Sequence, residues 1–201
     1  MDTSTNQHPL RIDFTSPRLA HRRATSSRKA PLARATGAGR NVHVLDCTAG
    51  LGRDSFMLAS FGCTVTMVER SPVLVQLLED ALDRAIYTDV SSIVGRMKIL
   101  EANAIELLQG LKEAPDVIYL DPMFPPRSKH AKVKGDMQIL QRYLGPDRDT
   151  RILIDTALAT RCHRVVIKRP AHGAAIAELE PTFTLKGKTS RFDVFITSPG
   201  H

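Results

Sequence analysis

The sequence predicts an α/β fold: a seven-stranded, mostly parallel sheet with one antiparallel edge strand and helices on both faces. Three observations predict it. Short β-branched, apolar runs alternate with longer helical stretches from residue 41 onward, the pattern of β–α–β units. The first of these runs ends at an acidic residue and opens directly into a glycine-bearing turn. The last two runs have only Gly187-Lys188-Thr189-Ser190 between them, a length that suits a hairpin and reverses one strand.

Taken in order, residues 1–40 mix Pro, Ser, Thr and Arg with little periodicity, so they are expected to form a basic arm with one short helix at 32–36. The domain proper is expected to span 41–201. Residues 41–46 (NVHVLD) form the first strand, the turn Ala49-Gly50-Leu51-Gly52 follows, and a helix covers 53–61. Residues 64–69 (TVTMVE) are the second strand. Ser71 then stands as N-cap before Pro72 at the first position of a helix over 72–85. Strands follow at 97–100 and 116–121 (DVIYLD), a Pro-rich loop runs to Gly135, and helices are expected at 137–144 and 149–160. Residues 163–168 (HRVVIK), 182–186 and 192–197 complete the sheet.

The length of 201 residues and 42% hydrophobic content suit one α/β domain and are too small for two. No apolar run approaches the 18 residues of a membrane span, and the opening MDTSTNQHPLR lacks the shape of a secretion signal, so a cytoplasmic location is expected. Cys47, Cys63 and Cys162 are odd in number and scattered, which predicts neither a disulfide framework nor a metal site. The net charge of +7 is concentrated at the front, where Arg22 and Arg23 belong to a group of eight cations facing only Asp2 and Asp13. Arg127, Lys129, Lys132 and Lys134 form a second basic run. Both would attract phosphate backbones, though basic runs are as often simply solvated surface.

In an open α/β sheet, ligands bind beyond the carboxyl ends of the strands, so the residues after strands one to four should line one crevice. After strand one, Asp46 precedes Gly50 and Gly52, whose missing side chains permit close approach of a ligand. A dinucleotide fingerprint would need a third glycine where Ser55 stands, which disfavours a pyrophosphate. Strand two ends at Glu69, an acid able to accept both hydroxyls of a ribose. After strand three, Asn103 either hydrogen-bonds an adenine edge or caps the next helix.

The most informative segment follows strand four, Asp121-Pro122-Met123-Phe124-Pro125. The amino nitrogen of a nucleic-acid base is a poor nucleophile, because its lone pair is delocalised into the ring. A carboxylate at Asp121 and the carbonyl of Pro122 can accept its two N–H groups and turn the lone pair toward a methyl donor, while Phe124 offers a stacking face. A Pro-rich turn of no function is the competing reading of this loop taken alone.

At these residues the chain resembles the ribosomal RNA small subunit methyltransferase J family. The resemblance rests on DCTAGLGRDSFMLASFG (46–62), VERSPV (68–73), YLDPMFPPRSKHAKVKGDM (119–137), LGPDRD (144–149), VVIKRP (165–170) and RFDVF (191–195), in order along most of the chain. It implies a class I, Rossmann-like methyltransferase that uses S-adenosylmethionine and no metal to methylate guanine N2 in 16S ribosomal RNA, with ribosomal RNA or the small subunit as partner. It also implies that Arg53, Asp54, Glu69, Arg70, Asn103, Ala104 and Asp121 contact the donor. Lys168 and Arg169, at the end of strand five, would lie where cations can hold a substrate phosphate. The chain departs from the family pattern at Asn103 and Ala104, where small hydroxyl residues are usual, and at Ala24-Thr25-Ser26-Ser27, where a glycine-rich stretch is usual. Two alternatives stand beside this: an amino methyltransferase acting on DNA or a protein glutamine, and a nucleotide-binding oxidoreductase.

Overall fold

The computed structural model describes residues 10–122, 149–172, 176 and 178–197. Seven strands form one sheet: β1 (His43–Asp46), β2 (Thr64–Glu69), β3 (Met97–Glu101), β4 (Val117–Leu120), β5 (Arg164–Pro170), β6 (Phe183–Lys186) and β7 (Ser190–Ile196), in the spatial order β3-β2-β1-β4-β5-β7-β6. The first five run parallel. β7 is antiparallel to β5 on one side and to β6 on the other, so the reversed strand is inserted next to the rim and β6 closes the edge. The order reverses between β1 and β4, whose carboxyl ends therefore flank the opening where an α/β sheet receives ligands.

Strand alternation sends neighbouring residues to opposite faces and builds two cores. Val44, Met67, Val117, Tyr119 and Val166 pack on one face beneath α3 (Arg53–Ser60) and α4 (Pro72–Ala85). Leu45, Val68, Ile118, Val165 and Ile167 pack on the other beneath α6 (Ala104–Gln109) and α7 (Thr150–Ala159). No helix among the described residues is long and apolar enough to cross a membrane. The expected strands and most helices stand within a residue or three of their expected bounds; the helix expected at 137–144 lies outside the described residues.

The arm departs furthest from expectation. Besides the short helix α2 (Pro31–Thr36), it contains α1 (Pro17–Thr25), and both pack on the sheet's first face. Ile12, Phe14, Leu19, Leu32 and Ala35 are buried in that core, and Phe14 stacks on Phe56 with ring centroids 5.5 Å apart. In α1 only Leu19 is buried, so a polar helix held by one anchor leaves no apolar periodicity to read. A second short helix, α5 (Ser91–Val94), is likewise absent from the sequence reading.

Candidate active site

The turn after β1 hangs between its two neighbours in the sheet. Cys47 N–H donates to the Tyr119 carbonyl at 3.0 Å, and Ala49 N–H to the Val68 carbonyl at 3.3 Å. Gly50 takes a positive φ of 53° and gives its N–H to Glu69 Oε2 at 3.1 Å. Glu69 Oε1 accepts the Ser71 N–H at 2.9 Å, so one carboxylate ties the glycine turn to the start of α4. Burial pushes the Glu69 carboxyl up, opposed by these backbone donors. Gly52 behaves differently from Gly50. Its φ is 66°, and a Cβ there would stand 2.9 Å from Leu78 Cδ2 and 3.1 Å from Phe14 Cζ, so its side is closed by the core and it makes room for packing. The approach to a ligand that the sequence suggested for both glycines therefore applies to Gly50.

Asp46 is 2% exposed. Its Oδ1 accepts the Thr48 N–H at 3.1 Å and the Thr48 hydroxyl, and its Oδ2 meets the hydroxyl of Ser55. Ser55, standing where a dinucleotide site has its third glycine, is thus committed to Asp46. Burial without a cation among these partners raises the Asp46 carboxyl to about 7.

The opposite arrangement surrounds Asp54, the second residue of α3. Oδ1 accepts from Arg22 of α1 at 2.6 Å; Oδ2 accepts from the Tyr119 hydroxyl and from Lys168 Nζ, each at 2.7 Å. Burial pushes its carboxyl up, but Lys168 and Arg22 outweigh it and hold Asp54 well below the usual carboxylate range. Lys168 Nζ also reaches Asp121 Oδ2 at 2.7 Å. The two carboxylates hold the ammonium above its ordinary value against the opposing effect of its own burial. Asp121 follows β4 directly; its N–H donates to the Thr48 hydroxyl at 2.6 Å, and its side chain remains 39% exposed.

These groups open on one cleft of about 820 Å³, whose lining includes Thr48, Gly50, Glu69, Asn103, Asp121 and Pro122. Its volume falls within the range of small-molecule sites. Along one end stand backbone donors and fixed acids, and along the other an ionised side-chain network whose carboxylate Asp121 faces the opening. Arg53, Arg70 and Ala104 line the same cleft, and Arg70 pairs with Asp149 at 3.6 Å across its rim. The Asn103 side chain accepts the Ile105 N–H at 2.9 Å, which is the cap anticipated as one of its two roles.

Other candidates stand apart. Arg23 pairs with the exposed Asp89 at 3.3 Å. Arg169 points to the sheet's second face, is 7% exposed and pairs with Asp193 at 3.6 Å; its neighbour Lys168 takes the first face because successive residues alternate. The pair expected to hold a substrate phosphate together is therefore split. Phe124, Arg127 and Lys129 lie outside the described residues. Sequence reasoning missed Thr48, Ser55 and Tyr119. The signal for Tyr119 was present, since period-two alternation puts it on the same face of β4 as Asp121.

Over residues 1–197 the chain matches the family described as "Putative SAM-dependent methyltransferase". It is 47% identical over 192 residues to a ribosomal RNA small subunit methyltransferase J of Ectopseudomonas mendocina, covering 93% of this chain and 74% of that protein. A protein of the same name from Thioalkalivibrio sulfidiphilus is 46% identical over 195 residues, covering 94% and 76%. Among solved structures, a SAM-dependent methyltransferase from Neisseria gonorrhoeae superposes with a TM-score of 0.76 at 35% identity, covering 96% of this chain and 76% of that one.

Proposed function

The chain belongs to this family of SAM-dependent methyltransferases, and on that premise we propose that it transfers the methyl group of S-adenosylmethionine to the exocyclic N2 of a guanine in 16S ribosomal RNA. Membership removes the oxidoreductase alternative. The relatives' names supply the substrate class; the Asp121 loop supports an exocyclic amino nitrogen as acceptor, and guanine N2 is what the family resemblance implies.

The observation that carries the reading is the place of Asp121: the Thr48 hydroxyl of the glycine turn accepts its backbone N–H at 2.6 Å, so its carboxylate shares a cleft with Gly50 and Glu69. The residues fit the cofactor. Glu69 and the Gly50 turn suit a ribose, Asn103 and Ala104 border the end where an adenine would lie, and Asp46, Gly52, Arg53, Asp54 and Arg70 complete or support that wall. When bound, S-adenosylmethionine supplies a methyl group already activated on a sulfonium. Asp121 accepts one amino hydrogen, the Pro122 carbonyl the other, and Phe124 stacks the extruded base. Orientation within a water-poor cleft then provides most of the acceleration. The basic segment 1–40 is assigned to docking RNA on the catalytic domain 41–201, through Arg23 together with Arg127 and Lys129 of the sequence after β4, whereas Arg22, expected to join them, is held by Asp54.

Labelled S-adenosylmethionine incubated with naked small-subunit RNA, assembled small subunits or DNA tests this directly. Label in N2-methylguanosine of the RNA is expected; label in DNA alone, or in no nucleic acid, overturns the proposal. Asp121→Ala is expected to abolish transfer while S-adenosylhomocysteine affinity, read by calorimetry, stays within about tenfold.

A further inference from the structure

Lys168 has a geometry that phosphate binding does not explain. It rises from the tip of β5 on the face of the sheet shared with Tyr119, and its ammonium is taken up by Asp54 Oδ2 and Asp121 Oδ2, each at 2.7 Å. Asp54 cannot yield easily to either side, because Arg22 holds its Oδ1 and the Tyr119 hydroxyl shares its Oδ2. Arg22 comes from α1, Asp54 from α3, Tyr119 from β4 and Lys168 from β5, so four elements converge on one chain of contacts that ends at Asp121.

We propose that Lys168 is the positioning residue of methyl transfer: anchored on Asp54, it ties one oxygen of Asp121 and thereby aims the other at the substrate amino group. The proposal rests on the role assigned to Asp121 above. In the step itself, the nitrogen lone pair forms the bond to the methyl carbon as the carbon–sulfur bond breaks, with that electron pair left on sulfur. The nitrogen's proton passes to Asp121 Oδ1. For this, Asp121 must begin as an acceptor. Without the ammonium between them the two carboxylates would repel, and one would take up a proton; a protonated Asp121 would donate where acceptance is needed. The charged and titratable groups that bear on Asp121 among the described residues are Lys168 of β5, Asp54 of α3, Arg22 of α1 and Asp46 of β1, with the Tyr119 hydroxyl beside Asp54. Lys168 is the one that bonds the Asp121 carboxylate within this set. Burial raises the Asp121 carboxyl above its ordinary value, and Lys168 limits that rise.

The test compares the full-length wild type with Lys168→Met, which keeps the aliphatic stem, and Lys168→Arg, which keeps the charge. Transfer to small-subunit RNA is measured against pH, and the Asp121 carboxyl is followed by carbon NMR of aspartate-labelled protein, assigned with Asp121→Asn. In Lys168→Met the Asp121 midpoint is expected to rise by about one to three pH units, with the acid limb of kcat moving alongside. At pH 7, kcat should fall about tenfold or more while KM for RNA and S-adenosylhomocysteine affinity change by less than about threefold, and Lys168→Arg should restore part of kcat. Lys168→Gln, neutral and still able to donate, carries the same measurements if the Met variant does not fold. An unmoved Asp121 midpoint overturns the proposal, as does a loss confined to KM for RNA, which would make Lys168 a phosphate contact. If the wild type methylates no RNA, the functional reading fails separately, and the NMR midpoint alone decides whether Lys168 governs Asp121.

Discussion

Asp46 and Asp54 stand at opposite ends of the same glycine turn, both buried, and they are brought to opposite states. Asp46 meets hydroxyls and a backbone N–H, and burial carries its carboxyl up to about 7. Asp54 meets Arg22, Lys168 and the Tyr119 hydroxyl, and the two cations override burial to keep it ionised. Burial therefore does not decide the charge of an aspartate here; the identity of its partners does. One end of the turn is a brace without a cation, which ties Thr48 to Ser55. The other is an ionic hub that connects the front segment, the sheet and the Asp121 loop.

The largest effect that would break this contrast is expected at the hub. Asp54→Ala removes the common partner of Arg22, Lys168 and Tyr119 and leaves a largely buried ammonium with Asp121 as its one remaining carboxylate among the described residues. A loss of about 3–5 kcal/mol in urea unfolding is expected. The sign with pH follows from the lowered carboxyl: the stability that Asp54 contributes is present above its unfolded value of 3.8 and is lost as pH falls through the depressed folded value. A variant as stable as wild type at pH 7 would mean that the ion pairs merely offset the desolvation of the groups they join.

At the brace the sign reverses. A carboxyl raised to about 7 contributes stability that is complete below its unfolded value of 3.8 and is lost as pH rises through the folded value. Asn mimics the protonated acid, its carbonyl accepting from Thr48 and its amide donating to the Ser55 hydroxyl. The stability of Asp46→Asn relative to wild type should therefore grow by on the order of 4 kcal/mol between pH 4 and pH 8. Equal unfolding free energies for the two chains across that range would show Asp46 to be ionised in the folded state, and the contrast with Asp54 would disappear.

The same contrast explains what the sequence could reveal. The partners of Asp46 lie two and nine residues away, and the Asn103 cap reaches two residues ahead, so these belong to local patterns of turn and helix start. The partners of Asp54 lie 32, 65 and 114 residues away, and Lys168 reaches Asp121 across 47. No spacing rule links such positions until the sheet order places β4 beside β5. Strand positions, strand ends and the glycine turn were legible because periodicity and turn chemistry are local. The Asp121 loop was recognisable by composition and resemblance. Lys168 was visible as a cation at a strand tip, but its direction was not, and the sequence reading sent it outward to phosphate with Arg169. Alternation along β5 could have separated the two, since one must face each core.

The smallest expected effect lies at the cofactor end, where local structure and ligand contact compete for one side chain. Asn103 Oδ1 accepts the Ile105 N–H at 2.9 Å and so caps α6. Asn103→Ala is expected to cost about 1 kcal/mol in stability, and Asn103→Ser, a comparably good cap, close to nothing. Calorimetry with S-adenosylhomocysteine then separates the two roles. If the cap is the whole function, the Ser variant binds like wild type and the Ala variant weakens only as far as the loosened start of α6 allows. If the amide also touches the adenine, both variants lose affinity by a similar factor, because neither retains the Nδ2 donor. Loss of affinity in the Ser variant with unchanged stability would place Asn103 with the long-range ligand contacts at the Asp121 end, and the division of the cleft into a locally built half and a remotely assembled half would no longer hold.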